Sequence, residues 1–137
     1  MNHWLVKSEP SKYAWEQLVK DKKTFWNGVR NYQASNNLKA MKKGDEAFFY
    51  HSNEGLAVVG ICKIVKEYYP DHTDESGRFG MVDVAPVMPF KQPVTLAEIK
   101  ATPELHDIAL IRQSRLSVMP ITAAQWKKIC TMGGVKA

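Results

Sequence analysis

The chain has 137 residues, of which 45% are hydrophobic and 24% charged. This size and composition predict a single domain over residues 1–137 with one hydrophobic core. The longest apolar runs, such as residues 56–61, are far shorter than the roughly 20 residues of a membrane helix, so no membrane partner is expected. The N-terminus lacks a basic flank followed by an apolar segment. We therefore expect no signal peptide and a cytoplasmic location.

Two cysteines, Cys62 and Cys130, lie far apart within apolar patterns. No second Cys or paired His stands near either of them at metal-ligand spacing, so neither a zinc site nor any other metal site is expected. Two buried, reduced thiols are favoured instead, because a free Cys commonly behaves as a small hydrophobic residue. No cofactor is predicted.

The net charge of +5 and the sequence pI near 9.2 suit a polyanionic partner, although a mild basic excess alone is weak evidence. The first third of the chain interleaves cations with aromatic residues, and Asp21 is the only acid between Lys20 and Lys43. This pattern is typical of nucleic-acid binding, with a solvated helix face as the alternative. The residues predicted to contact phosphate are Lys22, Lys23, Arg30, Lys39 and Arg115.

In chain order, residues 4–6 predict a short strand. Ser11 is a plausible N-cap for a helix that follows. Residues 24–28 predict a loop with two adjacent aromatic residues, and residues 33–41 predict a second helix.

The middle of the chain is predicted to be β. Two apolar and aromatic runs are separated by a polar hairpin signal, and two prolines mark the ragged end of a third run. Strands are expected at residues 46–51, 56–68 and 78–87, with the hairpin at 52–55 and the ragged end at Pro89 and Pro93.

In the last third, Thr95 and Thr122 each precede a Glu or Gln by three residues, which predicts a capping box and a helix at each. A helical turn is expected near residues 103–108 and a closing strand at 116–119. Five or six strands with short helices between them do not form a βαβ alternation. The pattern predicts an α+β fold, with a strongly bent antiparallel or mixed sheet that closes toward a barrel and carries helices around its rim.

Four segments carry polar or aromatic residues that a core does not require. In the first, a strand ends in Lys7, Ser8 and Glu9, which can face a cleft or simply form an edge turn. In the second, Gly28 allows close approach of the backbone. Around it lie stacking rings and amides able to recognise a base edge, with burial of the rings in the core as the alternative. These residues are Trp26, Tyr32, Asn27, Asn31 and Gln33.

The third segment ends a strand with His51, Ser52 and Asn53 together beside Tyr50, although a lone His is more often structural than functional. The fourth contains Arg112, Ser114, Arg115 and Ser117 among apolar residues. Arginine forks suit phosphate or base edges, and an exposed alternating strand is the alternative. The acids and the His of residues 68–75 have no counterpart cluster elsewhere, so a solvated loop is favoured there.

No catalytic motif is present: the chain lacks a G-x-S-x-G elbow, a P-loop and a dinucleotide fingerprint. Lys7, Ser8, Glu9 and His51 offer acid–base chemistry, but the sequence gives no geometry for them. Catalysis is not indicated, and no catalytic residue is assigned.

Seven ordered motifs across nearly the whole chain resemble the EVE domain family. They are WLVKSEP (4–10), W-x-GVRNYQA (26–34), FFYHS (48–52), VVGI (58–61), YPD (69–71), VDV (82–84) and LIRQSRLSVMP (110–120). Two positions depart from the family pattern. Ser35 stands where Arg is usual, which removes one potential phosphate contact, and residues 80–81 replace a common Trp, which concerns packing.

The resemblance implies a PUA-like fold related to the YTH and ASCH domains. YTH domains bind N6-methyladenine of RNA in an aromatic cage, and by that similarity Trp26 corresponds to a cage aromatic and Ser8 to a residue of the pocket rim. The family is associated with modified DNA bases, such as 5-methyl- or 5-hydroxymethylcytosine, or with modified RNA.

Together these observations predict a non-catalytic nucleic-acid-binding module that recognises a modified base of DNA or RNA in an aromatic pocket. The alternatives are an ASCH-like amidohydrolase acting on a modified nucleoside through Lys7 and Glu9, and a module that binds a peptide or small metabolite. The residues predicted for the base pocket are Lys7, Ser8, Trp26, Asn27, Asn31, Tyr50, His51, Ser52, Arg112 and Ser114.

Overall fold

The computed structural model describes residues 1–136, which form a six-stranded mixed sheet, five α-helices and one 3-10 helix. The predicted α+β class is confirmed. The strands are β1 (His3–Ser8), β2 (Thr24–Phe25), β3 (Glu46–His51), β4 (Ala57–Pro70), β5 (Gly80–Thr95) and β6 (Val118–Ile121). The helices are α1 (Trp15–Asp21), α2 (Tyr32–Ala40), α3 (Leu96–Lys100), α4 (Ala109–Arg112) and α5 (Ala123–Met132), with the 3-10 helix at Pro103–Leu105.

The sheet runs in the order β2-β5-β4-β3-β1-β6. Strands β1 and β3 are parallel, and every other neighbouring pair in the described chain is antiparallel. Helix α2 contacts the edge strand β6 and also β5 and β4, so it connects strands from opposite ends of the strand order. The predicted closure of the sheet toward a barrel is not completed by strand pairing within residues 1–136, because β2 and β6 are not paired with each other.

The sheet bends because its pairing is interrupted repeatedly. The β3–β4 register shifts between Phe49 and Tyr50, and the β4–β5 pair has several further shifts. Each such irregularity increases local twist and bends the strand.

Strand β5 continues through Pro89 and Pro93 to Thr95, so the prediction that these prolines end it is wrong. Outside its short pairing with β2 at Asp83 and Val84, β5 is an edge strand. An edge strand tolerates proline because the missing N–H has no neighbouring strand to bond.

Helix α1 begins at Trp15, four residues after the predicted N-cap Ser11. The residue at the N-cap position is Ala14, which makes no side-chain cap. Instead, the backbone N–H of Trp15 donates to Nε2 of His51 at 3.1 Å. The helix start is therefore set by a residue 36 positions away, a contact that local capping patterns do not reveal.

The remaining predictions divide between local and longer-range signals. The capping boxes at Thr95 and Thr122 are both reciprocal, as predicted, and α2 and β3 lie where expected. The expected loop at 24–28 contains β2, and residues 110–117 begin in α4 instead of extending as a strand. None of the helices among residues 1–136 has both the length and the apolar character needed to cross a membrane.

The core covers both faces of β3. On one face, Phe48 stacks on Trp126 of α5 with ring centroids 3.9 Å apart. On the other, Phe49 packs edge-on against Trp15 at 5.5 Å and Trp26 at 5.6 Å. Alternation along the strand thus assigns Phe49 to the side on which Trp26 lies.

Both cysteines are buried and free. Burial raises the pKa of Cys62 to about 12 and that of Cys130 to about 11. The expectation of two buried, reduced thiols is confirmed.

Gly60 of β4 supports the indole of Trp15 directly. A Cβ at this position would lie 2.7 Å from two carbons of that ring. We expect Gly60→Ala to lower the free energy of unfolding by ~1–3 kcal/mol, because overpacking forces the ring or strand to shift. Urea denaturation measures the loss.

A Trp15→Leu background tests the cause. Removing the ring should relieve most of the cost of Gly60→Ala, so the two substitutions should be strongly non-additive. If the losses in the free energy of unfolding are additive, the collision of the new Cβ with the Trp15 ring is not the reason for the effect of Gly60→Ala.

Candidate functional site

A cavity of about 840 Å³ opens at the end of β1, beside β2 and the turn before β6. We call it the first cavity. Its lining combines aromatic faces with hydroxyl, amide, amine and carboxylate groups. The lining residues are Lys7, Ser8, Glu9, Lys12, Tyr13, Thr24, Phe25, Trp26, Asn27, Gly28, Ser52, Ser114, Arg115 and Ser117.

The structure brings together six of the ten residues predicted for the base pocket. The first cavity is lined by Lys7, Ser8, Trp26, Asn27, Ser52 and Ser114. A neighbouring second cavity of about 390 Å³ is lined by Asn31, Gln33, Arg112, Gln113, Ser114, Arg115 and Leu116. Asn31 and Arg112 therefore belong to the second cavity, whereas Tyr50 and His51 line neither.

Trp26 forms the boundary between the core and the first cavity. Only 8% of it is exposed, and its ring lies nearly perpendicular to that of Phe49, at 87°. Its backbone N–H donates to the carbonyl of Val82 at 2.7 Å, which extends the β2–β5 pairing. Among residues 1–136 no side-chain N or O atom is both fully buried and unpaired, and the indole N–H has no protein acceptor there. This N–H is thus an accessible donor.

The parallel ends of β1 and β3 form one wall. Ser8 pairs in register with His51, and the backbone N–H of Ser52 donates to the carbonyl of Ser8 at 2.9 Å. The hydroxyl of Ser8 donates to the carbonyl of Tyr13 at 2.6 Å, so this side chain also holds the segment before α1. Two polar strand ends that are distant in sequence consequently meet at one edge.

Lys7 connects this wall to the opposite one. Its Nζ donates to the carbonyl of Ser114 at 2.7 Å, and its backbone N–H donates to the carbonyl of Ser117 at 2.9 Å. The same Nζ lies 5.9 Å from the centroid of the Tyr50 ring. Tyr50 is buried beneath Lys7 and supports it, which is why Tyr50 does not line the cavity. Burial lowers the pKa of Lys7.

His51 has a structural role instead of the predicted pocket role. Its ring accepts the first N–H of α1 and packs edge-on against Phe49. Burial lowers the pKa of His51, which favours the neutral ring that this acceptor role requires.

Buried Asp71 fixes the loop that carries Trp26. Its carboxylate accepts hydrogen bonds from the N–H of Gly28 at 2.8 Å and from Nη1 of Arg30 at 3.1 Å. It also accepts the backbone N–H of Thr73 at 2.7 Å. Burial by itself raises the pKa of Asp71, but the hydrogen bonds from Thr73, Gly28 and Arg30 outweigh it and hold the pKa at about 2.

The burial and contacts of Asp71 bear on two predictions. Residues 68–75 were expected to be a solvated loop, yet Asp71 is 3% exposed. Arg30 was expected to contact phosphate, but it is paired with this carboxylate. The sequence feature that includes this position is the Tyr-Pro-Asp motif at 69–71, one of the seven motifs that resemble the EVE domain family.

The other predicted phosphate contacts lie at different distances from the site. Arg115 lines both cavities. Lys22 ends α1 in a left-handed conformation with φ +68°, and exposed Lys23 follows it just before β2. Lys39 lies on the last turn of α2, with Nζ 5.5 Å from the ring centroid of Tyr68. None of these three lysines lines the first cavity or its neighbour, which is lined by residues 31, 33 and 112–116.

Four lining residues were not singled out from sequence: Lys12, Tyr13, Thr24 and Phe25. Lys12 pairs with Glu9 at 3.4 Å. The first cavity therefore has three cationic side chains, Lys7, Lys12 and Arg115, against the single carboxylate of Glu9. Within residues 1–136, no group of three or more His, Cys, Asp or Glu side chains is placed to hold a metal ion.

A bent mixed sheet with a cationic, Trp-lined cavity at its strand ends defines a small ligand-binding domain. Residues 2–132 match the EVE domain family, and the chain belongs to that family.

Relatives support the same assignment. Thymocyte nuclear protein 1 of Homo sapiens is 38% identical, over 96% of this chain and 73% of the relative. A crystal structure of an Agrobacterium tumefaciens protein is similar with 46% identity and a TM-score of 0.96, covering 98% of this chain and 94% of the other. The crystal structure of human THYN1 protein in complex with 5-methylcytosine containing DNA is similar with 37% identity and a TM-score of 0.91, covering 100% of both chains.

A distant similarity concerns the fold alone. An ASCH protein of Zymomonas mobilis is 9% identical with a TM-score of 0.59, covering 96% of this chain and 99% of the other. This agrees with the predicted relation between the two folds and carries no evidence about activity.

The expectation of a cytoplasmic location is contradicted. It rested on the absence of targeting signals, whereas the human and chicken relatives, at 38% and 39% identity, are named thymocyte nuclear proteins. A short basic domain gives no internal sign of the compartment in which it acts.

Asp71→Asn tests the anchor of the Trp26 loop. The amide keeps the size of the carboxylate but loses its charge-assisted bonds to Arg30 and Gly28, so we expect a loss of ~1–3 kcal/mol in the free energy of unfolding at neutral pH. Because the folded pKa is lowered to about 2, this contribution is present above pH 4 and disappears as the pH falls toward 2. Urea unfolding at several pH values measures both effects.

Glu75→Gln is the matched control. Glu75 is an exposed acid in the same turn, so its neutralisation should leave stability nearly unchanged. Equal effects of the two substitutions, or a difference that persists at pH 2, would contradict the anchoring role.

Proposed function

We propose that this protein binds nucleic acid and takes one modified base into the first cavity, against Trp26, without catalysing a reaction. The observation that carries the proposal is the similarity, over the entire chain, to a THYN1 protein in complex with 5-methylcytosine containing DNA. The cavity of this chain supplies the stacking surface, donors and cations that such a ligand requires.

The size and lining of the cavity suit a nucleobase with its sugar. Its volume of about 840 Å³ falls within the range of small-molecule sites. Stacking on an aromatic side chain contributes ~1–3 kcal/mol per base, and turning a base out of a helix costs a few kcal/mol, less when it is unpaired. Trp26 supplies an aromatic surface, while its indole N–H and the amide of Asn27 are available for the base edge.

The methyl group alone gives modest discrimination. Burying one methyl contributes roughly 0.8 kcal/mol, which is a few-fold difference in affinity. A stronger preference for a modified base requires polar groups that the unmodified base leaves unsatisfied. The polar donors around Trp26 are the groups placed to provide this stronger preference for a modified base.

The phosphate backbone requires cations at the rim, and Arg115 is the best placed. It is exposed, lines the first cavity and forms no ion pair among residues 1–136. Lys12 also lines the cavity, although it is partly neutralised by Glu9. Exposed Lys22 and Lys23 extend the basic surface next to β2.

The amidohydrolase alternative receives one favourable observation, since Lys7 and Glu9 both line the cavity. Both side chains are engaged in contacts that maintain the site. Lys7 holds the Ser114 carbonyl, and Glu9 contacts Lys12 and the amide of Asn53. These contacts favour a binding role over an acid–base role.

Trp26→Leu should weaken binding of single-stranded DNA containing one 5-methylcytosine by about tenfold or more, because the ~1–3 kcal/mol of stacking is lost. Leu keeps part of the apolar volume against Phe49, whereas Ala would leave a cavity that costs ~3–5 kcal/mol in stability. Fluorescence anisotropy with modified and unmodified strands, as DNA and as RNA, measures affinity.

Trp126→Leu is the matched control, since Trp126 is a buried Trp on the opposite side of β3. It should lower stability while leaving the affinity of the folded protein unchanged. Equal affinities of Trp26→Leu and the wild type would contradict the assignment of Trp26 to the base pocket.

A separate experiment tests for catalysis. After incubation with the protein, chromatography should recover modified nucleosides unchanged, whereas deacylation of N4-acetylcytidine would establish the amidohydrolase instead.

Arg115→Gln should weaken binding and reduce its salt dependence. Loss of one phosphate contact lowers the slope of log K against log salt by ~0.7 for a single strand. Lys127→Gln is the control, because Lys127 is exposed on α5 and lines neither cavity. If both variants keep the wild-type slope of log K against log salt, the proposed contact of Arg115 with phosphate is contradicted.

A further inference from the structure

The second cavity is bounded by the first turn of α2 and by the segment between α4 and β6. The amide of Asn37 holds these two walls together by donating to the carbonyl of Val118 at 2.7 Å. Six of the seven lining residues are polar, and the seventh, Leu116, is buried. Its lining has three carboxamides, two guanidinium groups and no carboxylate.

The two cavities share Ser114 and Arg115. Lys7 fixes this common wall through its bond to the Ser114 carbonyl. A group bound in one cavity therefore lies next to a group bound in the other. Arg115, with no ion pair among the described residues, is placed where a phosphate linking the two groups would pass.

The side chains of the second cavity divide into fixed and accessible groups. Arg112 is held by the carbonyl of His106 at 3.2 Å and by Asp107 at 3.4 Å. The Oδ1 of Asn31 caps α2 by accepting the N–H of Ala34 at 2.9 Å, which leaves its NH₂ available.

Gln33 and Gln113 are exposed and line the second cavity, so their amides are accessible to a ligand. Each of these carboxamides has a donor and an acceptor, as the edge of a nucleobase does.

We propose that the second cavity binds the nucleotide adjacent to the modified base, with Gln33 and Gln113 contacting the base edge and Arg115 the intervening phosphate. This inference rests on the proposed function of the first cavity. It assigns the protein a preference for the sequence flanking the modified base, set at a site distinct from the one that holds the modification. Asn31 and Arg112 shape this second site.

The test uses the full chain, free 5-methyl-2′-deoxycytidine, and single-stranded DNAs with one 5-methylcytosine and each of the four bases at the positions on either side. The wild type should bind the strands with affinities that depend on a flanking base. The double substitution Gln33→Ala with Gln113→Ala should weaken the preferred strand by about tenfold and equalise the set, because two hydrogen bonds are lost. Affinity for the free nucleoside should not change.

Gln92→Ala is the control, since Gln92 lies on β5 and its amide contacts α5 through the carbonyl of Met132. If the double variant keeps the wild-type order and spread of affinities, or if the wild type shows no dependence on the flanking bases, the second subsite is overturned while binding in the first cavity stands. If the wild type binds neither the nucleoside nor the strands, both proposals fall.

Discussion

The parallel pairing of β1 with β3 is the constraint on which the site depends. It brings Ser8 beside His51 and Ser52, so two polar strand ends meet at one edge of the sheet. The same pairing places Lys7 above Tyr50 and within reach of the Ser114 carbonyl. An antiparallel arrangement of these strands would send their ends to opposite edges and leave no shared wall.

The residue proposed to stack on the base is also a core residue, and this would link the proposed binding to stability. Trp26 is packed on Phe49, and its loop is held by the Asp71 carboxylate through Gly28. Gly28 adopts φ +80°, a conformation that a residue with a Cβ rarely takes. Because these contacts exist before any ligand arrives, the ligand does not have to order the aromatic wall. If Trp26 binds the base as proposed, a change at this residue acts on the fold and on binding at once.

The parts of this molecule that were predictable from sequence are those determined by local chemistry. The reciprocal capping boxes at Thr95 and Thr122, and the alternating aromatic strand β3, need only neighbours within a few residues. The start of α1 depends on His51, and the Trp26 loop depends on Asp71, which is 43 residues from Gly28. Such long-range contacts leave no periodic signal. For the same reason the sequence grouped Asn31 and Arg112 with Trp26, although they line the neighbouring cavity.

The two cavities differ in how they are supported, and under the two proposals this would separate two kinds of recognition. The wall at Trp26 is continuous with the core and offers stacking, which is similar for every base. The wall at Gln33 and Gln113 is exposed and polar, and its amides can change without disturbing a packed residue. Substitutions of surface amides are usually within ±0.5 kcal/mol in stability, whereas substitutions of core aromatics cost several times more. Under the proposal for the second cavity, changes at its exposed amides would alter the preferred sequence context without changing the fold or the aromatic wall.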